Sequence, residues 1–289
     1  MKEILKIMYL LGKVKITLFV AISGALGYIL ATGHIDFGMI VPTLGIFILS
    51  CGSSALNQVQ EWRFDALMDR TKNRPIPTSK LSPFQSLFIS SALIIIGLSI
   101  LYIFEGSTAF YLGIFAIVWY NAFYTPLKRY TAMAVVPGAL IGAIPPLIGW
   151  VSGGGYIFDP SILSLCLFFF IWQIPHFWLL ILIYHKDYER AGFPTLTKTF
   201  PQEQLKRITY IWIIALAASC MMIPMFGLSR NILTLPILFF AGAYLVWRTK
   251  PLLEQFHTSK TFRIAFMDIN LYVVIVTLIL SIDKLILFF

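Results

Sequence analysis

"VPTLGIFILSCGSSAL" (residues 41–56) runs directly into "NQVQEWRFDALMDRTKNRPIPT" (57–78). The first stretch carries no charge. The second carries three acids, Glu61, Asp65 and Asp69, and four bases, Arg63, Arg70, Lys72 and Arg74, in a 289-residue chain of which only 12% is charged. A soluble domain of this length needs far more charge on its surface. With 58% of residues hydrophobic and 16% aromatic, most of that surface must face a bilayer. The apolar runs are continuous rather than alternating, so helices and not a closed barrel satisfy the backbone in lipid.

A hydrocarbon core of ~30 Å takes about 20 apolar residues per crossing. Nine segments fit: 14–33, 39–57, 84–104, 108–125, 132–151, 161–184, 208–227, 231–248 and 268–288. The expected fold is an all-α polytopic membrane protein, and the absence of any linker or low-complexity stretch makes residues 1–289 one domain. Cys51, Cys166 and Cys220 fall inside spans without metal-ligand spacing and read as small apolar side chains, not as disulfide partners.

The net charge of +9 matters less than where it lies. Nine crossings alternate the loops between two sides, and 20 of the 22 Lys and Arg residues then share one side; Arg230 and Lys284 alone face the other. By the positive-inside rule the N-terminus and the basic loops are cytoplasmic, as in a bacterial-type plasma membrane. Topology and anionic headgroups account for any single base here, and no nucleic-acid partner is implied. Neither accounts for the acids set among the bases.

Asn57, Glu61 and Asp65 are spaced i, i+4, i+8, so on a helix each is displaced by only about 40° from the last. Three oxygen-bearing side chains on one stripe suit a hard cation such as Mg²⁺, which keeps further positions for water and phosphate. The plain alternative is a solvated helix end with i,i+4 ion pairs. Asp69 drifts about 120° off the stripe and ranks second as a ligand, and Arg63 lies off it. A second cluster, "YHKDYERAGFP" (184–194), puts Asp187 on the same side and could complete a site for one or two Mg²⁺ ions. Arg70, Lys72, Arg74, Lys128 and Arg129 would then take the remaining charge of a diphosphate.

At these residues the sequence resembles the UbiA-type intramembrane prenyltransferases, whose first motif is N-x-x-x-D-x-x-x-D; here it is Asn57, Glu61, Asp65. Within that family the string "NQ…E…D..M.RTKNRP" is most similar to the protohaem IX farnesyltransferase (haem O synthase) branch. "YTPLKR" (124–129), "PGALIGAIPPLIGW" (137–150), "WQIPHFW" (172–178) and "KDYERAGFP" (186–194) match it in order. Two departures stand out. The "TKPR" usual near the first span is "GKVK" (12–15), and Tyr184 stands where the wider family has a further acid.

The resemblance implies helices around a central cavity, with Mg²⁺ held by Asn57, Glu61, Asp65 and Asp187 under a cytoplasmic cap. It implies transfer of farnesyl from farnesyl diphosphate to the 2-vinyl group of haem B, and a product used near haem A synthase or a terminal oxidase. Prenyltransferases with quinone-precursor, aromatic or chlorophyll-like acceptors are the near alternative, and a membrane transporter the distant one. His176 follows Pro175, which predicts a kink, and lies about 16 Å deeper than Asp187 on a similar face. An intramembrane histidine is a functional candidate, here a haem contact; the alternative is a hydrogen-bonded side chain filling the kink. Asp268 and Asn270 read as the start of the last span, and His34, His185 and His257 as solvated.

Overall fold

The computed structural model describes residues 2–254 and 259–286, which are helical throughout their long elements with no strand among them; His257 lies outside the described residues. The helices are α1 (Lys2–Leu11), α2 (Val14–Thr32), α3 (Ile40–Asp65), α4 (Pro83–Glu105), α5 (Ser107–Leu127), α6 (Ala132–Ser152), α7 (Pro160–Arg190), α8 (Gln202–Met225), α9 (Thr234–Thr249) and α10 (Ser259–Leu285). Eight of these, α2–α8 and α10, are long and apolar enough to cross a membrane.

Two expectations are corrected, and one span is shorter than expected. The segment 231–248 forms α9, a helix of 16 residues and ~24 Å, so it is not among the eight long and apolar enough by themselves to cross. It packs between α8 and α10. The last span begins at Ser259, so Asp268 and Asn270 sit inside α10, not at its start. Inside α7 the non-helical backbone is at Tyr184 (φ −116°, ψ 22°), nine residues beyond Pro175.

Local sequence explains the boundaries. α4 opens with a capping box: Gln85 N–H donates to the Ser82 hydroxyl at 3.1 Å, Ser82 N–H donates to Gln85 Oε1 at 2.9 Å, and Pro83 fills a position that needs no donor. α6 is assembled from short turns around Pro137, Pro145 and Pro146. It crosses α2 with the two backbones in contact: a Cβ at Gly27 would overlap the Pro146 carbonyl, and one at Gly149 the Gly24 carbonyl. Small residues at such crossings are how helices associate in lipid, where no hydrophobic force drives them together. Only 17% of the apolar window of α4 is buried, which leaves Phe88, Ile95, Tyr102 and Phe104 for the lipid. The main core lies along α7, where Phe168, Ile174 and Leu179 meet Ile213 and Leu216 of α8 and Ile269 of α10.

The basic loops gather at one end. Leu11, Ala55 and Ile76 pack α1 and the 66–82 loop on α3. Met68 packs against Ala191 and Phe193, tying the same loop to the end of α7. All three cysteines are buried and free, as the sequence implies.

Candidate active site

The stripe predicted on α3 exists, and it is buried: Asn57, Glu61 and Asp65 are 2%, 5% and 1% exposed. A solvated helix end is thereby excluded. Groups so desolvated need partners, and the partners come from four elements. Arg74, in the loop after α3, donates to Asp65 Oδ2 at 2.7 Å. Lys128, just past α5, donates to Glu61 Oε2 at 2.6 Å. Asn57 Nδ2 donates to Glu61 Oε2 and to Thr125 Oγ1, both at 3.1 Å, and Lys13 Nζ donates to Asn57 Oδ1 at 3.3 Å.

Thr125 reaches the stripe because α5 widens into a π-helical stretch over Val118–Tyr124. The wider turn lets the Thr125 hydroxyl donate to the Tyr120 carbonyl at 2.8 Å while it accepts from Asn57. Such bulges concentrate at functional sites. The same stretch stacks Tyr120 on Tyr124 (centroids 5.7 Å apart) and sets Lys128 Nζ 5.5 Å from the Tyr124 ring.

Lys13 was missed by sequence reasoning, which counted it only toward topology. It sits between α1 and α2 with φ 50°, one of two non-glycine residues with positive φ among the described residues. That conformation costs free energy and is held only where the surroundings enforce it. Burial first, and then repulsion from Arg74 and Lys128, pushes its ammonium from the ordinary 10.5 down to about 7. The "GKVK" segment offered the signal: a lysine between two helices, close to where the resembling family keeps its own basic residue.

Other predicted residues take different places. Arg70 N–H donates to Asp187 Oδ2 at 3.1 Å, so the buried Asp187 fastens the 66–82 loop to α7. The Arg70 guanidinium rests 5.4 Å from the Tyr184 ring. Lys72 pairs with Asp69 at 2.6 Å, and Asp69 also takes Arg190 at 2.7 Å. This triad is exposed, and the two bases hold the Asp69 carboxyl down to about 2. Arg129 donates to the Gln60 carbonyl at 2.7 Å and lies over the Phe64 ring, bracing the outer side of α3. Arg63 is exposed above Trp62. His176 bonds Asn270 of α10 through Nδ1 at 2.9 Å. The structure thus gathers Asn57, Glu61, Asp65, Arg74 and Lys128, adds Lys13 and Thr125, and does not gather Lys72, Arg129 or His176.

Among the described residues no three His, Cys, Asp or Glu side chains converge on one point. A cation here would depend on two carboxylates, an amide oxygen, water and its own anionic ligand, which suits a hard ion that stays partly hydrated. One atom supports that fit: Glu61 Oε1 is buried with no hydrogen-bond partner. A carboxylate oxygen left bare inside a protein is costly unless a cation or donor meets it.

A family model described as the UbiA prenyltransferase family matches residues 18–271. The protoheme IX farnesyltransferase of Christiangramia forsetii is 32% identical over 281 residues, covering 94% of this chain and 91% of its own. That of Geobacter sulfurreducens is 41% identical over 214 residues, covering 74% and 79%. In fold, the chain resembles a digeranylgeranylglyceryl phosphate synthase (TM-score 0.74, 15% identity, 98% and 99% covered). It also resembles a UbiA homologue from Archaeoglobus fulgidus bound to GPP and Mg²⁺ (TM-score 0.66, 13% identity, 96% and 99% covered). With the family model spanning most of the chain, and relatives above 30% identity covering more than two thirds of it, the protein belongs to the UbiA prenyltransferase family.

Proposed function

We propose that this protein transfers the farnesyl group of farnesyl diphosphate to the 2-vinyl group of haem B, giving haem O. The observation that carries the reading is the buried face of α3. Two carboxylates and an amide stand there among Lys13, Arg74 and Lys128 at one membrane edge, in a chain similar to protoheme IX farnesyltransferases. Acids for a metal and bases for phosphate are what a metal–diphosphate ligand requires.

Asn57, Glu61 and Asp65 would hold Mg²⁺, which neutralises diphosphate charge as the leaving group departs, while Asp187 holds the 66–82 loop through Arg70 N–H. Arg74 and Lys128 turn from the carboxylates to the phosphate oxygens and stabilise the charge that grows there. Lys13 does the same from the other side. Arg70, on the loop that Asp187 fastens, would meet the outer phosphate, while Lys72 stays in its exposed pair with Asp69. Arg129 stays on Gln60 and keeps α3 in register.

As the allylic C–O bond breaks, its electron pair leaves with the diphosphate. The farnesyl cation forms beside the stacked Tyr120 and Tyr124 faces, each worth ~1–2 kcal/mol to a desolvated cation. The vinyl π electrons form the new C–C bond, and water adds to the resulting cation and loses a proton, leaving a hydroxyl. By the positive-inside rule the clustered bases favour a cytoplasmic face for the site, and the product would pass to haem A synthase or a terminal oxidase. Expression in cells that make only haem B, followed by mass spectrometry of the extracted haems, tests the reading. A new peak heavier by farnesyl plus hydroxyl is expected; haem B alone would overturn it.

A further inference from the structure

His176 and Asn270 form a polar pair between two membrane helices, and the mechanism above does not use them. Asn270 Nδ2 donates to the Phe266 carbonyl at 2.5 Å. That bond fixes the amide, so the oxygen facing His176 Nδ1 at 2.9 Å can only accept. Nδ1 must therefore carry the proton, and Nε2 keeps its lone pair. Nε2 has no hydrogen-bond partner among the described residues, and the ring is only partly buried. A histidine filling a helix kink needs no such arrangement. One that binds a metal does: its second nitrogen is nearly always tied to an acceptor that sets tautomer and orientation.

Two further observations point to a ligand. Trp172, one turn earlier on the same side of α7, lies 5.0 Å from the His176 ring, and its buried indole N–H has no partner. An unmet donor and an unmet acceptor thus stand together at membrane depth, where each is costly. The pair also connects to the charged site through rings alone. His176 meets Phe177 at 5.5 Å, Phe177 meets Tyr124 at 6.1 Å, and Tyr124 lies under Lys128, the partner of Glu61.

We infer that His176 Nε2 is an axial ligand to the iron of the haem acceptor, with Asn270 as the positioning residue. This rests on the farnesyl-transfer reading above and adds what fixes the acceptor. The iron and the vinyl group belong to one rigid macrocycle, so tethering the iron determines which edge reaches the diphosphate end. Phe177, between His176 and Tyr124, and Trp172 and Phe266 beside His176 supply flat apolar faces for such a plate.

The test uses the full protein in nanodiscs with ferric haem B and no farnesyl diphosphate. Wild type is expected to give a histidine-ligated Soret and visible spectrum. His176→Gln, which keeps volume and a hydrogen-bonding group, should lose that spectrum and bind haem at least tenfold more weakly. Added imidazole should restore both the spectrum and part of the turnover. Asn270→Leu should keep the ligated spectrum while weakening haem 10- to 100-fold, the usual effect of losing a ligand's outer partner. An unchanged spectrum in His176→Gln, with haem O still made by the wild type, overturns the ligation and leaves the function standing. A wild type that makes no haem O and shows no haem spectrum overturns the function itself.

Discussion

Glu61→Gln, alone and with Lys128→Met, separates a structural ion pair from a working one. Lys128 Nζ lies 2.6 Å from Glu61 Oε2, with side chains 21% and 6% exposed. Stranding one partner of a fully buried pair costs about 3–5 kcal/mol, whereas replacing both by neutral groups is often harmless. Lys128 keeps a fifth of its surface in solvent and can recover some hydration, so about 2 kcal/mol is expected for the single variant. That is a drop of several degrees in thermal unfolding. The double variant should return to within ~1 kcal/mol of wild type.

Activity should not follow stability. At an effective dielectric of ~20, two unit charges 4 Å apart interact by ~4 kcal/mol. With Glu61 as the proposed metal ligand, losing its charge should then cost about 10²–10³-fold in kcat/KM, at 1.36 kcal/mol per decade. The assay pairs thermal unfolding in detergent with Mg²⁺-dependent diphosphate release. Recovery of turnover together with stability in the double variant would show that the pair only props up α3, and would remove Glu61 from the chemistry.

Burial and the neighbouring Arg74 and Lys128 hold the Lys13 ammonium down at about 7, so raising the pH from 6 to 8.5 should strip a positive charge from the site. The KM for farnesyl diphosphate should rise over that interval in wild type and stay flat in Lys13→Arg, which remains charged throughout. Arg129→Ala removes the bond to the Gln60 carbonyl and should cost about 1–2 kcal/mol of stability while leaving the KM for farnesyl diphosphate within ~3-fold; a tenfold rise would return Arg129 to the phosphate. Gly149→Val should abolish monodisperse protein in size-exclusion chromatography, since its side chain would occupy the Gly24 carbonyl's place; a well-folded variant would disprove the close α2–α6 crossing.

The stripe on α3 was legible because a helix repeats every 3.6 residues, and i, i+4, i+8 positions share a face whatever surrounds them. The gathering of bases at one end was legible because charge asymmetry tracks topology. What periodicity cannot report is which cation meets which carboxylate. Arg74 and Arg129 look alike as sequence, yet one is 2.7 Å from Asp65 and the other holds a backbone carbonyl. The π-helical stretch in α5 was hidden for a similar reason: it fits Asn121 against Ser53 and Gln60, and Thr125 against Asn57, all on α3, which is tertiary. The shortness of α9 was obscured by apolar residues before its N-terminal end, Ile232 and Leu233, that hydropathy counts but the helix does not include.

Five buried or half-buried charges at one membrane edge carry a desolvation penalty that they meet by pairing with one another. Glu61 and Asp65 are closed by Lys128 and Arg74, and Lys13 holds Asn57. A metal–diphosphate ligand can enter without a net loss of opposite-sign contacts, because the carboxylates turn to the cation while the bases turn to the phosphate. A ligand of one sign cannot do this. Diphosphate alone would leave Glu61 and Asp65 facing an anion, and Mg²⁺ alone would leave three bases facing a cation. Each component should therefore bind weakly by itself, and each should strengthen the other by the same factor, as linkage requires. Calorimetric titration of a non-hydrolysable farnesyl diphosphate analogue with and without Mg²⁺ reads that factor directly. Equal affinities in the two titrations would mean that the ion pairs are permanent and that the ligand enters elsewhere.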